Sequence, residues 1–268
     1  MSVIKYRMQR LKIHVIPFLA ISMLFVLGVF ATYRLPVEGV PRGVEAWRLS
    51  NPSLSRFVGI DAAINPQDYF TSLLFAFVVP LINMIFIRLS IKRLYVQMME
   101  RQKARFFFVS EKWLGNIVFS VFVAISFSVL CQHVLISGLY RIAPLVFDQW
   151  RETVNQIDIL LLQSMLFSFL PTGFYLFSAV FSPNDQISKL LDILFVLWAI
   201  IKGLSRLDGA SKILKYFTPF SLYSFKVVIG NNLPMIMSLI AATFGFLLVF
   251  VSSFAFSRKD FFIESRRS

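Results

Sequence analysis

The chain has 268 residues, 57% of them apolar and only 15% charged, with a mean hydropathy of +0.72. A soluble domain is about half apolar and a quarter charged, because polar groups must cover its surface. This composition therefore excludes an ordinary soluble enzyme, a nucleic-acid-binding domain and a disordered chain. The net charge of +13 is confined to segments between apolar runs, and the single Cys131 with no CxxC excludes an internal disulfide and a cysteine metal site.

Five runs carry no Asp, Glu, Lys or Arg: residues 13–33, 69–87, 113–140, 159–184 and 227–257, of 21, 19, 28, 26 and 31 residues. A bilayer core about 30 Å thick needs roughly 20 apolar helical residues. Only helices or closed barrels satisfy every backbone polar group in lipid, and these runs lack the alternation of barrel strands. Five membrane helices are predicted. A sixth is predicted at 187–204, where the apolar stretch 193–201 lies between Lys189 and Asp192 on one side and Lys202 on the other. A core or surface helix is the other reading of that segment. Lysines at its ends can snorkel, and Asp192 then falls near a membrane face.

The expected fold is thus an all-α polytopic membrane protein. It is a single transmembrane domain over 1–268, with six spans at 13–33, 69–87, 114–138, 159–182, 187–204 and 233–256. A cytoplasmic segment, 88–112, and external segments 34–68, 139–158 and 205–232 join them.

Lys5, Arg7, Arg10 and Lys12 precede the first run, with Ile4, Met8 and Leu11 on one helical stripe. This reads as an interfacial helix on an anionic leaflet, or as a basic start that only sets topology. The run is too long for a signal-peptide core, and Ala31-Thr32-Tyr33-Arg34 offers no cleavage site, so it is expected to be retained. The segment 34–68 holds Pro36, Pro41, Pro52 and Pro66 with Gly39, Gly43 and Gly59. It is too short to build its own core and is expected to cap the spans.

The segment 88–112 carries the most information. Ile87, Ile91, Leu94, Tyr95, Met98 and Met99 repeat at helical spacing, so an amphipathic helix continues out of the second span. Lys92, Arg93, Gln97, Glu100 and Arg101 take its other face, and the block Phe106-Phe107-Phe108-Val109 follows Lys103 and Arg105. Ser110 offers a helix cap, with Glu111 in the first turn of the third span. A plain connection would need about 2–8 residues. The extra length either lies on the membrane or docks a cytoplasmic partner, and docking is the preferred reading. In the segment 205–232, a short helix from Ser211 through Phe217, stopped by Pro219, is expected to turn Ile213, Leu214 and Phe217 inward.

Sixteen of the 27 Lys and Arg fall on the side of the N-terminus and 11 on the other. Basic residues held in short loops mark the cytoplasm, so both termini are expected there, in a plasma (inner) membrane. The five basic residues between Lys202 and Lys226 weigh the other way.

No Walker A, GxSxG, HExxH or paired-carboxylate pattern occurs, so ATP hydrolysis by this chain alone is not expected. His14 and His133, the only histidines, read as polar interface or packing residues rather than ligands. Asp158 reads as an interfacial carboxylate at the outer end of the fourth span. The predicted membrane interior lacks acidic groups, which weighs against ion-coupled secondary transport. Pro17, Pro80, Pro171 and Pro234 lie within or at the ends of spans, where kinks are tolerated.

Certain segments resemble those of one family. Glu100-Arg101-Gln102-Lys103 is followed by Phe108-Val109-Ser110-Glu111-Lys112-Trp113-Leu114-Gly115. Phe181-Ser182-Pro183-Asn184 follows the fourth span, Tyr216-Phe217-Thr218-Pro219-Phe220 precedes the last, and Arg258-Lys259-Asp260 follows it. With the basic pre-span helix and long first external segment, the layout resembles the six-span permease subunit of ABC-2-type transporters. That resemblance implies an exporter half that binds no cofactor itself. Two copies, or this chain with a related permease, would form the path in the lipid bilayer, and separate ATPase subunits would bind ATP. It also implies an ATPase-coupling loop containing Leu94, Met98, Glu100, Arg101, Lys103, Arg105, Phe106 and Phe107. No nucleic-acid partner is expected. A non-transporting immunity or assembly protein, or an integral-membrane lipid-modifying enzyme, are the alternatives.

Overall fold

The computed structural model describes residues 3–32, 44–58, 70, 78–101, 115–146, 157–182, 186–207, 213–214, 217–218 and 233–258. Among these the regular structure is helical, with no strand. In chain order the helices are α1 Val3–Thr32, α2 Val44–Ser50, α3 Pro52–Val58, α4 Val79–Arg101, α5 Gly115–Val146, α6 Ile157–Phe181, α7 Gln186–Leu204 and α8 Leu233–Arg258. Four contain stretches long and apolar enough to cross a membrane: Ile13–Ala31, Val118–Val146, Asp158–Phe181 and Met235–Ala255. The chain is an α-helical membrane protein. α7 lies on the predicted span 187–204, whereas α4 overlaps the predicted 69–87 only over residues 79–87 and carries on to Arg101. Arg88 lies on α4, Lys189, Asp192 and Lys202 lie on α7, and neither helix is among those four.

α6 is the hub, because α4, α5, α7 and α8 all pack against it, α8 most extensively. The reason lies in side-chain size. The buried face of α8 is Ser238, Ala242, Gly245, Val249 and Ser252, spaced four, three, four and three residues apart, whereas Ile240, Phe244, Leu247, Phe250 and Phe254 are exposed. Lipid is as apolar as leucine, so membrane helices gain little by hiding large side chains from it. They associate where small residues let backbones approach. At the crossing, Gly245 faces the Phe169–Leu170 backbone and Gly173 faces Gly245 itself.

Two apolar clusters fill the bundle. The larger runs from Phe18 through Ile87, Ile91, Ile125 and Phe167 to Leu191 and Phe195. The smaller joins Val26 and Phe30 of α1 to Phe70, Val79, Ile136 and Tyr140, with Trp47 and Val58 packed against it. Phe70 stacks on Phe30 at 5.2 Å between centroids and meets Tyr140 at 4.9 Å. Within segment 34–68, α2 and α3 thus pack at this end of the bundle through Trp47 and Val58. Arg206 donates to the Val58 carbonyl, and Gly203 of α7 lies against the Phe57 ring.

α5 continues to Val146, eight residues beyond the expected end of its span at 138, with Pro144 inside it. At about 1.5 Å per residue its 32 residues exceed a bilayer core about 30 Å thick, so Arg141 sits on the same helix as the apolar run. That arginine is compensated: it donates to Asp158 at 2.7 Å, and Ser137 donates to the same carboxylate at 3.1 Å. Asp158 stands in the first turn of α6, where a negative charge suits the helix dipole. Residues 213–214 and 217 adopt 3₁₀ turns, and Ile213 and Phe217 are exposed on the surface of the chain. Ser110 and Glu111 lie outside the described residues.

Candidate functional site

The predicted docking segment begins on α4, which continues unbroken from Val79 through Arg88 to Arg101. Leu94, Met98 and Arg101 follow one another at i, i+4 and i+7 on that helix, with Glu100 beside the last. Lys103, Arg105, Phe106 and Phe107 lie outside the described residues. From Arg88 to Arg101 the helix rises about 20 Å, at about 1.5 Å per residue. Four of the eight predicted residues thus lie on a helix whose root is packed in the bundle.

That root is held in two ways. Phe86 stacks on Phe18 of α1, with centroids 4.0 Å apart and planes 15° from parallel, and Ile87 and Ile91 are buried against the bundle. One residue beyond Phe86 and Ile87 comes a polar attachment. Arg88 Nε donates to Asp192 Oδ2 of α7 at 3.2 Å, and Tyr175 of α6 donates through its hydroxyl to Asp192 Oδ1 at 2.6 Å. The Arg88 guanidinium carbon lies 5.7 Å above the Tyr175 ring, a cation–π placement. One carboxylate therefore joins three helices.

Deeper in the bundle is a layer of neutral polar side chains. Gln132 Nε2 of α5 donates to Ser22 Oγ of α1 at 2.9 Å, and Ser22 in turn donates to the Phe18 carbonyl at 2.8 Å. Asn83 of α4 is 2% exposed, and its Oδ1 meets no hydrogen-bond donor among the described residues. It lines a small cleft with Pro80, Ser164, Ser168 and Pro171. His133 bonds through Nδ1 to the Val129 carbonyl of its own helix at 2.7 Å and is buried. Among the described residues no group of His, Cys, Asp or Glu could hold a metal ion.

The Ser22–Gln132 bond makes a defined prediction. Ser22→Ala strands the Gln132 amide donor in an apolar interior and should cost about 1 kcal/mol. Gln132→Leu removes the buried amide entirely and leaves Ser22 donating to the Phe18 carbonyl, so it should be close to neutral. The double variant should therefore match Gln132→Leu alone in a detergent unfolding titration; an additive loss in the double variant would refute the coupling.

From the sequence, Arg88 reads only as the first residue of the basic segment 88–112 and Asp192 only as a charge near a membrane face, and Tyr175 lies inside an apolar run. A signal was present: Arg88 ends the 69–87 apolar run and Asp192 begins the 193–201 one. Opposite charges at the margins of two spans are natural partners. No family model, no curated protein and no solved structure matches the chain.

Proposed function

We propose that the chain is the permease subunit of an ATP-binding-cassette exporter of the ABC-2 type. In this reading α1, α4, α5, α6, α7 and α8 are six spans in the plasma membrane with both termini cytoplasmic. A second copy or a related permease completes the path. ATP is bound and hydrolysed by a separate subunit docked on residues 88–112. The observation that carries the reading is the unbroken α4: a helix rooted in the apolar bundle at Phe86 and Ile87 continues to Arg101 and leads into the basic, aromatic segment. A membrane helix needs no such extension to turn back, whereas a chain moved by an external motor needs a stiff arm for it to push.

The test is co-purification of the tagged full-length chain from its native membranes. Expected is a soluble-domain ATPase with a Walker A motif in stoichiometric amount, identified by mass spectrometry and by ATP hydrolysis. Charge reversal across Glu100, Arg101, Lys103 and Arg105 should remove at least nine-tenths of it, because docking two patches of complementary sign depends on every one of these charges. A wild-type chain that retains no ATPase would refute the proposal, and one that transports cargo without it would do so more directly.

A further inference from the structure

We infer that Arg88, Tyr175 and Asp192 are the joint that fixes the α4 lever in register with α6 and α7. This rests on the permease reading only for the source of the force, a motor subunit pushing on the lever. The geometry of the joint stands without it.

Most of what holds α4 to its neighbours is apolar: Phe86, Ile87 and Ile91 against α1 and α6. Apolar contact is non-directional, so it opposes separation of the helices and tolerates rotation or sliding. Transmission needs a contact that opposes rotation as well. Charge-assisted hydrogen bonds supply it, because they are short and angle-dependent.

The details favour a joint over an arginine that merely anchors a helix end. An anchoring arginine extends toward the headgroups and water. Arg88 instead has a side chain only 14% exposed, turned onto the Tyr175 ring and the Asp192 carboxylate. Tyr175 is 2% exposed, and its ring lies 5.7 Å from that of Phe195, so core packing sets the position of its hydroxyl. Both oxygens of Asp192 are engaged, one by each neighbour, although its side chain is 43% exposed and could have faced water. α6 and α7 have a second link, the Ser178–Ser188 hydroxyl pair at 2.5 Å. They are thus tied to each other independently of α4, and the charge pair adds α4 to that unit.

The experiment uses the full-length chain in lipid nanodiscs with the native Cys131 replaced by serine. Spin labels at Gln97→Cys on α4 and Gln186→Cys at the start of α7 report the lever's position by pulsed electron resonance. The unmodified joint should give one narrow distance. Arg88→Gln and Asp192→Asn should each lose it to a broad or split distribution, and Tyr175→Phe should broaden it less. The exchanged pair Arg88→Asp with Asp192→Arg should restore the narrow distance. Single variants indistinguishable from the parent overturn the joint. If the single variants aggregate, recovery of a monodisperse protein with one narrow distance by the exchanged pair supports it, and failure to recover overturns it. In the complex with the ATPase, ATP should shift the label distance in the parent and in the exchanged pair but not in Arg88→Gln. A shift retained in Arg88→Gln overturns the inference while leaving the permease reading standing. A chain that captures no ATPase refutes that reading and leaves the labelled distances to decide the joint.

Discussion

Gly245→Ala is expected to loosen the α6–α8 crossing, and Gly245→Leu to prevent recovery of a folded, monodisperse protein. A methyl carbon on Gly245 would overlap the Phe169 carbonyl oxygen and lie 2.8 Å from the Leu170 nitrogen, and one on Gly173 would lie 2.9 Å from Gly245 Cα. The obstacles are backbone atoms, so no rotamer change relieves them and the helices must move apart. Overpacking of this kind costs about 1–3 kcal/mol for a small addition. Here separation also forfeits the close approach along Ser238, Ala242, Val249 and Ser252. Because lipid would receive the exposed surfaces without penalty, that close approach is what holds α8 in place. Gly28 and Gly138 supply the contrast: an added methyl at either meets nothing within 4 Å. Alanine there should be neutral or stabilising by up to about 1 kcal/mol, the difference in helix propensity. Thermal unfolding in one detergent should rank Gly245→Ala and Gly173→Ala far below the parent and place Gly28→Ala and Gly138→Ala at or above it. Equal midpoints across the four variants would refute the packing account.

The same physics explains which parts of the fold were legible in the sequence. The apolar runs foretold α1, α5, α6 and α8, because a span is a matter of length and charge alone. The helical spacing of Ile87, Ile91, Leu94 and Met98 foretold the continuation of α4 to Arg101, because a helix at a polar boundary keeps its apolar side chains on one face. Inside the bilayer that contrast vanishes. Phe244 and Phe250 face outward on α8 while Ser238 and Ser252 face in, the reverse of a soluble helix. The spacing of small residues on α8 was the available clue, and hydrophobicity did not expose it. α5 runs past the expected end of its span at 138 because the apolar run marks where charge begins, not where the helix stops, and Arg141 on that extension pairs with Asp158. The candidate site divides along similar lines. Its lever could be read from periodicity, but the carboxylate that ties Arg88 to Tyr175 joins residues 104 positions apart in the case of Arg88 and Asp192, a pairing that only the folded chain selects.

Phe86→Ala should weaken the root of the lever more than removal of any single hydrogen bond described above. Phe86 and Phe18 are both buried and stack at 4.0 Å, an aromatic contact between α1 and α4. In a soluble core such a truncation costs about 3–5 kcal/mol, part of it lost transfer free energy and part the residual cavity. In lipid the transfer part largely disappears, since an exposed phenyl ring is not penalised there. The cavity part remains, because Phe18, Ile87 and Ile91 lose dispersion partners on one side. The expected loss is therefore about 2 kcal/mol, below the soluble-core range for this truncation. Phe86→Leu should recover most of it by filling the space without the stacking geometry. The discriminating comparison is Phe250→Ala, whose ring is exposed on the outer face of α8 and should cost almost nothing in the same unfolding titration. If Phe86→Ala and Phe250→Ala lost the same stability, burial within the bundle would not be what holds α4 against α1.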